Sequence, residues 1–351
     1  MKGSLPLFRV FGISIKVHVT FFLLLLLAMS GGIRVVFLVS AVFFFVTIHE
    51  LCHSLVAKRF GIKVREITLL PIGGISSMAK MPEKPIQELA IALAGPLSNV
   101  AVVLIFFFPV KYLVGPENMF HQLSIKTWPL TFAYVYWINL ALAGFNLLPA
   151  FPMDGGRVLR ALLAMRMGYQ KATRIAVSFG HVFALIFAYF GIIKLNFILV
   201  IIAVFVYMAA SNEELQVEVK ETLKKFKVCD ILPRDFLTLT GSTTLAKILE
   251  LIFHSHQEDF PIIDGGVMAG FITRQDIMKG IHSFGTGAKV SEIMRTKVPK
   301  VKESDPLIKV QNIMQESGMR ALPVTNGSKV IGVVTLEDIG RVYAMASQVS
   351  T

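Results

Sequence analysis

Acidic side chains are scarce in the first part of this chain, and cysteine is scarce throughout. The 351 residues include 2 cysteines, Cys52 and Cys229, which fall in different halves. That excludes a disulfide framework and fits a reducing cytosolic side. Residues 1–212 hold only 6 acids, namely Glu50, Glu66, Glu83, Glu88, Glu117 and Asp154, against 18 Lys and Arg. Residues 213–351 hold 17 acids and 17 basic residues, so the net charge of +12 belongs to the first part. The basic residues of that part lie in loops between apolar runs, which excludes a nucleic-acid partner as the reason for the high pI. With 54% apolar residues and a mean hydropathy of +0.65, the composition also excludes an ordinary soluble enzyme. The length allows two or three domains.

Apolar runs suited to spanning a bilayer occur at Val17–Met29, Val35–Ala57, Leu89–Val110, Pro129–Leu147, Ile175–Ile193 and Phe197–Ala210. The first is short and begins in a β-like stretch, Phe8–Lys16; its alternative is a signal peptide. Retained, it makes six spans and puts both termini on one side. Loops on the N-terminal side carry 14 basic residues and those opposite carry 4 (Arg34, Lys111, Lys126 and Lys194). The positive-inside rule then puts the N-terminus and the soluble part in the cytosol. The expected architecture is a polytopic α-helical membrane domain of about six transmembrane helices (1–212), a helical linker (213–226) and a cytosolic α/β part (227–348).

Inside the second run stands His49-Glu50-Leu51-Cys52-His53. Two histidines four residues apart on a helix share a face and can bind one Zn²⁺, with Glu50 within reach of the water such a centre activates. A carboxylate in hydrocarbon is costly, so the motif is hard to explain as an accident there. Two imidazoles need a third protein ligand. Asp154, in Pro149-Ala150-Phe151-Pro152-Met153-Asp154-Gly155-Gly156, is the candidate; capping the following helix is its alternative. The two prolines imply a stiff extended segment before it. The third run contains Ala94-Gly95-Pro96-Leu97-Ser98-Asn99, whose small residues permit close helix packing. Its Asn99 amide would hold a substrate carbonyl or oxyanion, or else bridge two helices. Between runs two and three, Ile67–Leu70 and Pro71–Ile75 read as short strands with a kink at Gly73-Gly74. Such a strand either pairs with an extended substrate or forms an ordinary hairpin.

Three segments, HELCHSLVAKRFG at 49–61, AGPLSN at 94–99 and NLLPAFPMDGGR at 146–157, resemble the site-2 protease family of intramembrane zinc metalloproteases (M50) over about residues 5–212. The resemblance implies one zinc per chain on His49, His53 and Asp154, water activation by Glu50, and substrate contacts at Asn99 and the Gly73-Gly74 strand. It also implies a single-span membrane protein as substrate and regulated intramembrane proteolysis as the role. Cys52 stands where this family often has a small glycine; its thiol is expected to pack or to lie near the metal. No inserted PDZ module is visible.

Residues 228–280 and 290–342 align without gaps at an offset of 62 residues, for example Pro261/Pro323, Gly270/Gly332, Thr273/Thr335 and Asp276/Asp338. This internal duplication resembles a tandem CBS pair, with copies at 227–285 and 286–348. Thr273 and Thr335 at helix N-termini offer hydroxyls to phosphate, and Asp276 and Asp338 can accept from ribose hydroxyls. The CBS resemblance implies an adenine nucleotide (ATP, ADP or AMP) as the ligand; the alternatives are plain capping pairs and a pair that only forms a homodimer. A CBS-gated transporter would need acids on several spans, and a non-catalytic adaptor would have lost a ligand. The sequence fits neither.

Overall fold

Strict alternation in Ile13–His18 gives a strand with one buried face, Ile13, Ile15 and Val17 being 0–2% exposed. It is β2 of the computed structural model, which describes residues 3–71, 73–78, 82, 84–115, 124–233, 235–255 and 257–349. Lys2, Ile72, Lys80, Glu83 and Glu117, all used in the sequence reading, lie outside the described residues. The chain divides into two compact units, Met1–Leu215 and Gln216–Thr351.

In the first unit, β1 (Ser4–Val10) pairs antiparallel with β2 (Ile13–His18) around Phe11 and Gly12, both at positive φ. β3 (Val64–Leu70) joins β2 in parallel, Ser14 opposite Glu66, and β4 (Gly73–Met78) closes the order β1-β2-β3-β4 as an edge. The parallel β2–β3 pairing spans about 50 residues of sequence, so no local pattern announces it. Between those strands run α1 (Val19–Met29) and α2 (Ile33–Arg59). The sheet's buried face packs on Phe21, Phe43 and Ala57 of these helices.

Then follow α3 (Pro85–Val114), α4 (Trp128–Asn146), α5 (Asp154–Met167), α6 (Tyr169–Ile193) and α7 (Phe197–Lys225). Among the described residues, α2, α3, α6 and α7 are long and apolar enough to cross a membrane. The six expected spans shrink to four by that measure because β2 consumes the start of the first run, leaving an 11-residue α1. At 1.5 Å per residue α1 reaches about half of a 30 Å hydrocarbon layer. The 19-residue α4 carries Thr131, Tyr134, Tyr136 and Asn139, which lower its apolarity. The packing is inverted relative to a soluble protein. Ala92, Gly95, Ala143, Ala172, Ala176, Gly180 and Ala210 are buried, while Leu104, Ile105, Phe108, Leu185, Ile198 and Ile201 are exposed. Small residues inside and large apolar ones outside suit a bilayer as solvent.

α3 runs through both Pro96 and Pro109. Two local expectations are corrected. Residues 147–153 form successive turns rather than an extended rod, with Ala150 N–H donating to Leu148 O and Met153 N–H to Ala150 O. Arg160, counted with the basic loop residues, is a fully buried residue of α5.

The second unit repeats one motif: α8 (Leu245–His254), β5 (Phe260–Asp264), β6 (Val267–Ile272) and α9 (Arg274–Phe284), then α10 (Leu307–Ser317), β7 (Ala321–Asn326), β8 (Lys329–Thr335) and α11 (Leu336–Val349). Core positions repeat with the sequence offset. Phe260, Ile262, Ile272 and Ile277 in one copy correspond to Leu322, Val324, Val334 and Ile339 in the other, all 0–2% exposed. Hydrogen bonds repeat too, and they cross between copies. Leu245 N–H donates to Ala288 O, and Leu307 N–H donates to Phe226 O. Each copy's lead-in segment thus caps the other copy's first helix, which explains why the two copies form one unit. The polar residues after Asn212, expected to form a helical linker, continue α7 as far as Lys225.

Candidate metal centre

α2 places His49 and His53 on one face, and both are buried. Their Nε2 atoms lie 3.1 Å apart, and each lies 3.1 Å from Asp154 Oδ2. Among the described residues these three form the group that could hold a metal ion. Tetrahedral zinc with bonds of about 2.0–2.1 Å has ligand–ligand edges of about 3.3 Å, so the triangle has nearly the required size.

The outer ring nitrogens show why a cation belongs there. His53 Nδ1 donates to the Ile91 carbonyl at 2.6 Å, and a carbonyl can only accept. His49 Nδ1 donates to Asn99 Oδ1 at 3.0 Å. With Nδ1 of each ring engaged in this way, the Nε2 atom of each neutral imidazole is free to ligate a metal, and both Nε2 atoms converge with Asp154 Oδ2 on one point. Orientation of a ligating histidine by a hydrogen bond on its other nitrogen is the usual arrangement around zinc.

Asp154 is the first residue of α5, and Met153 is the N-cap, so the capping alternative for Asp154 does not hold. Two glycines set its direction. A Cβ on Gly155 would stand 2.2 Å from Leu148 O, and one on Gly156 would stand 2.5 Å from Phe151 N. Only a glycine pair lets the start of α5 fold this tightly onto the preceding turns. Glu50, next to His49 on α2, approaches the edge strand: a Cβ on Gly74 would stand 2.7 Å from Glu50 Cγ. Gly73, at φ +138, meets nothing within 4 Å.

Asn99 is buried; its Oδ1 is engaged by His49, while its amide nitrogen has no partner among the described residues. It bridges α3 to α2 and still has a donor to give. Cys52 is half-buried and is not a member of the metal-binding group.

Sequence reasoning missed two contributors. The Ile91 carbonyl is backbone and leaves no signal in side-chain patterns. Gly95 was read only as a packing residue. A Cβ there would come within 2.2 Å of His53 Nε2 and 2.6 Å of His49 Nε2, in the space a metal would share. The spacing offered a clue, because Gly95 sits one turn before Asn99 and shares its face.

The repeat's designated residues have a different setting. Thr273 Oγ donates to Asp276 Oδ2 at 2.7 Å while Asp276 N–H donates back to Thr273 Oγ at 3.3 Å. Thr335 and Asp338 do the same at 2.7 and 3.1 Å. Both pairs are the capping alternative. Asp276 also receives Nε and Nη2 of Arg295, each at 2.8 Å. Burial works to raise the Asp276 carboxyl, but the guanidinium and the Thr273 donors outweigh it and hold it below its ordinary value. Nearby, burial pushes Asp259 up to about 6, helped by the acids Glu258, Glu337 and Asp276.

The Gly95 geometry carries a direct consequence. Gly95→Ala places a methyl group among the ligand atoms while improving helix propensity. The variant should bind zinc at least about tenfold more weakly than the parent with α3 intact, as checked by metal content and circular dichroism. Parental zinc content in the variant would refute this placement.

The profile of Peptidase family M50 matches residues 37–127 and 108–187, and that of the CBS domain matches residues 228–283 and 290–344. The chain is 33% identical to a zinc metalloprotease of Methanocaldococcus jannaschii, over 98% of this chain and 97% of the relative. It is 26% identical to stage IV sporulation protein FB of Bacillus subtilis, over 56% of this chain and 65% of that one. A solved site-2 protease from Methanocaldococcus jannaschii is 39% identical and covers 60% of this chain and 95% of its own, with a TM-score of 0.46. A full-length relative at this identity, together with both family profiles, fixes the assignment: the chain belongs to peptidase family M50 and is a zinc metalloprotease of the site-2 protease type with a tandem CBS pair.

Proposed function

We propose that this protease cleaves a single-span membrane protein within the bilayer, at a centre held by His49, His53 and Asp154. The reading is supported above all by the convergence of those three ligand atoms beside Glu50 at a sheet edge. Among the described residues β4 is the edge of its sheet; a Cβ at Gly73 would meet open space, and Gly74 lets Glu50 pack against the strand. A substrate segment, unwound and extended, adds there as a further strand and brings a peptide bond past Glu50. When bound, zinc supplies Lewis-acid activation of the water and of the scissile carbonyl. Glu50 takes the proton released by the attacking water and delivers it to the leaving nitrogen. The unpartnered Asn99 amide donates to the carbonyl oxygen as charge develops on it, while Asn99 Oδ1 keeps His49 in the right tautomer.

Glu50→Gln removes the proton carrier and leaves the three ligands in place. It should retain about one zinc per chain and lose at least about a hundredfold in cleavage rate. Parental cleavage by the variant would sink the protease reading of this site.

Counting α1 and α4 along with the four long apolar helices gives six spans, and the basic loops then favour the N-terminus and the CBS pair in the cytosol. Reporters fused after Thr351 and within 111–126 should fall on opposite sides of the membrane, cytosolic and external respectively; the same side for both would refute the arrangement. In the CBS pair an adenine nucleotide is the proposed ligand. It must draw Asp276 away from Arg295 and open two capping pairs, so it binds only where its contacts outweigh those. Pairing of two chains through the same unit is the companion proposal. Calorimetry with ATP, ADP and AMP should show heat that falls severalfold for Asp338→Ala. Absence of heat with all three nucleotides would leave the pair as an association module.

A further inference from the structure

Arg160 lies on α5, six residues after Asp154, and is 0% exposed. Its Nε donates to Glu88 Oε1 on α3 at 2.8 Å, Nη2 closes on the same oxygen, and Nη1 donates to Glu213 on α7 at 2.6 Å. The rings of Phe151 and Tyr169 flank the guanidinium, with centroids 4.7 and 4.8 Å from Cζ. Three aimed bonds and two ring contacts exploit the planar fork of arginine; a lysine ammonium reproduces the charge but not the geometry. Removing such a group from water is costly, so a buried ionic cluster is weak evidence for stability and better evidence for a fixed arrangement.

What it fixes is next to the metal centre. Glu88 stands one turn before Ile91, whose carbonyl holds His53 Nδ1. Phe151 belongs to the turns that bend into Asp154, and its backbone nitrogen lies against Gly156. Among the described residues Glu88 Oε2 is buried without a partner, and the bonds to Glu88 Oε1 from Arg160 anchor that carboxylate. Glu213 adds α7, an element that contributes no ligand.

We propose that Arg160 is a positioning residue of the zinc centre. It locks the His53-fixing stretch of α3 to the Asp154-bearing start of α5, and through Glu213 it makes α7 part of the lock. The proposal rests on His49, His53 and Asp154 being the zinc ligands.

The test uses the purified full-length chain as Arg160→Lys, Glu213→Gln and Glu213→Asp. Three quantities are read: the rate of zinc release to a chelator, kcat and KM on a cleaved substrate, and the thermal unfolding midpoint. Glu213→Gln and Arg160→Lys should each release zinc at least about fivefold faster and lower kcat by a similar factor. KM should stay within about twofold, and Glu213→Asp should return both quantities to near parental values. Zinc release needs no substrate, so it decides the matter even if the protease reading fails. Glu213→Gln leaves the Arg160–Glu88 pair in place and decides alone if Arg160→Lys does not accumulate. Parental zinc release and kcat in Glu213→Gln would overturn the proposal. So would losses that follow the unfolding midpoint and are not restored by Glu213→Asp.

Discussion

Three potential metal-ligating atoms, each 3.1 Å from the other two and buried among packed helices, form the constraint on which the rest of the first unit depends. Everything nearby serves to hold it. The Ile91 carbonyl and Asn99 fix the tautomers, Gly95 leaves the centre open, and Gly155 and Gly156 let the chain turn tightly enough to present Asp154. Small residues at the helix contacts are what permit backbones to come this close.

A bilayer makes the cost of misplacing polar groups high, and the buried ionisable groups around the centre face one another. Glu88 pairs with Arg160, and the two imidazoles and Asp154 face one another. The unpartnered atoms stand out against that background. The Asn99 amide nitrogen is one of them. The second unit lives under ordinary aqueous rules. Its cores are filled by large aliphatic and aromatic side chains, and its exposed ion pairs contribute little.

Much of this was legible in the sequence because the decisive features are local. His49, Glu50 and His53 occupy one helical stretch, the Asp154 motif is contiguous, and the 62-residue repeat is plain by alignment. The less legible parts depend on distant segments meeting. The parallel pairing of β2 with β3 is long-range, and the span at Val17 yields its start to that strand. Arg160 looked like a loop cation because its partners lie 72 and 53 residues away. Thr273/Asp276 and Thr335/Asp338 show the opposite difficulty. The same residue types serve a helix cap and a ligand, and the sequence alone does not separate the two.

Zinc held by two imidazoles and a carboxylate is the feature on which the catalytic centre depends. X-ray absorption at the zinc edge of the purified chain tests it most directly. The expected first shell contains only nitrogen and oxygen at about 2.0–2.1 Å, with outer scattering from two imidazole rings. A sulfur neighbour at about 2.3 Å, which would bring Cys52 into the centre, or imidazole scattering from fewer than two rings, would contradict it.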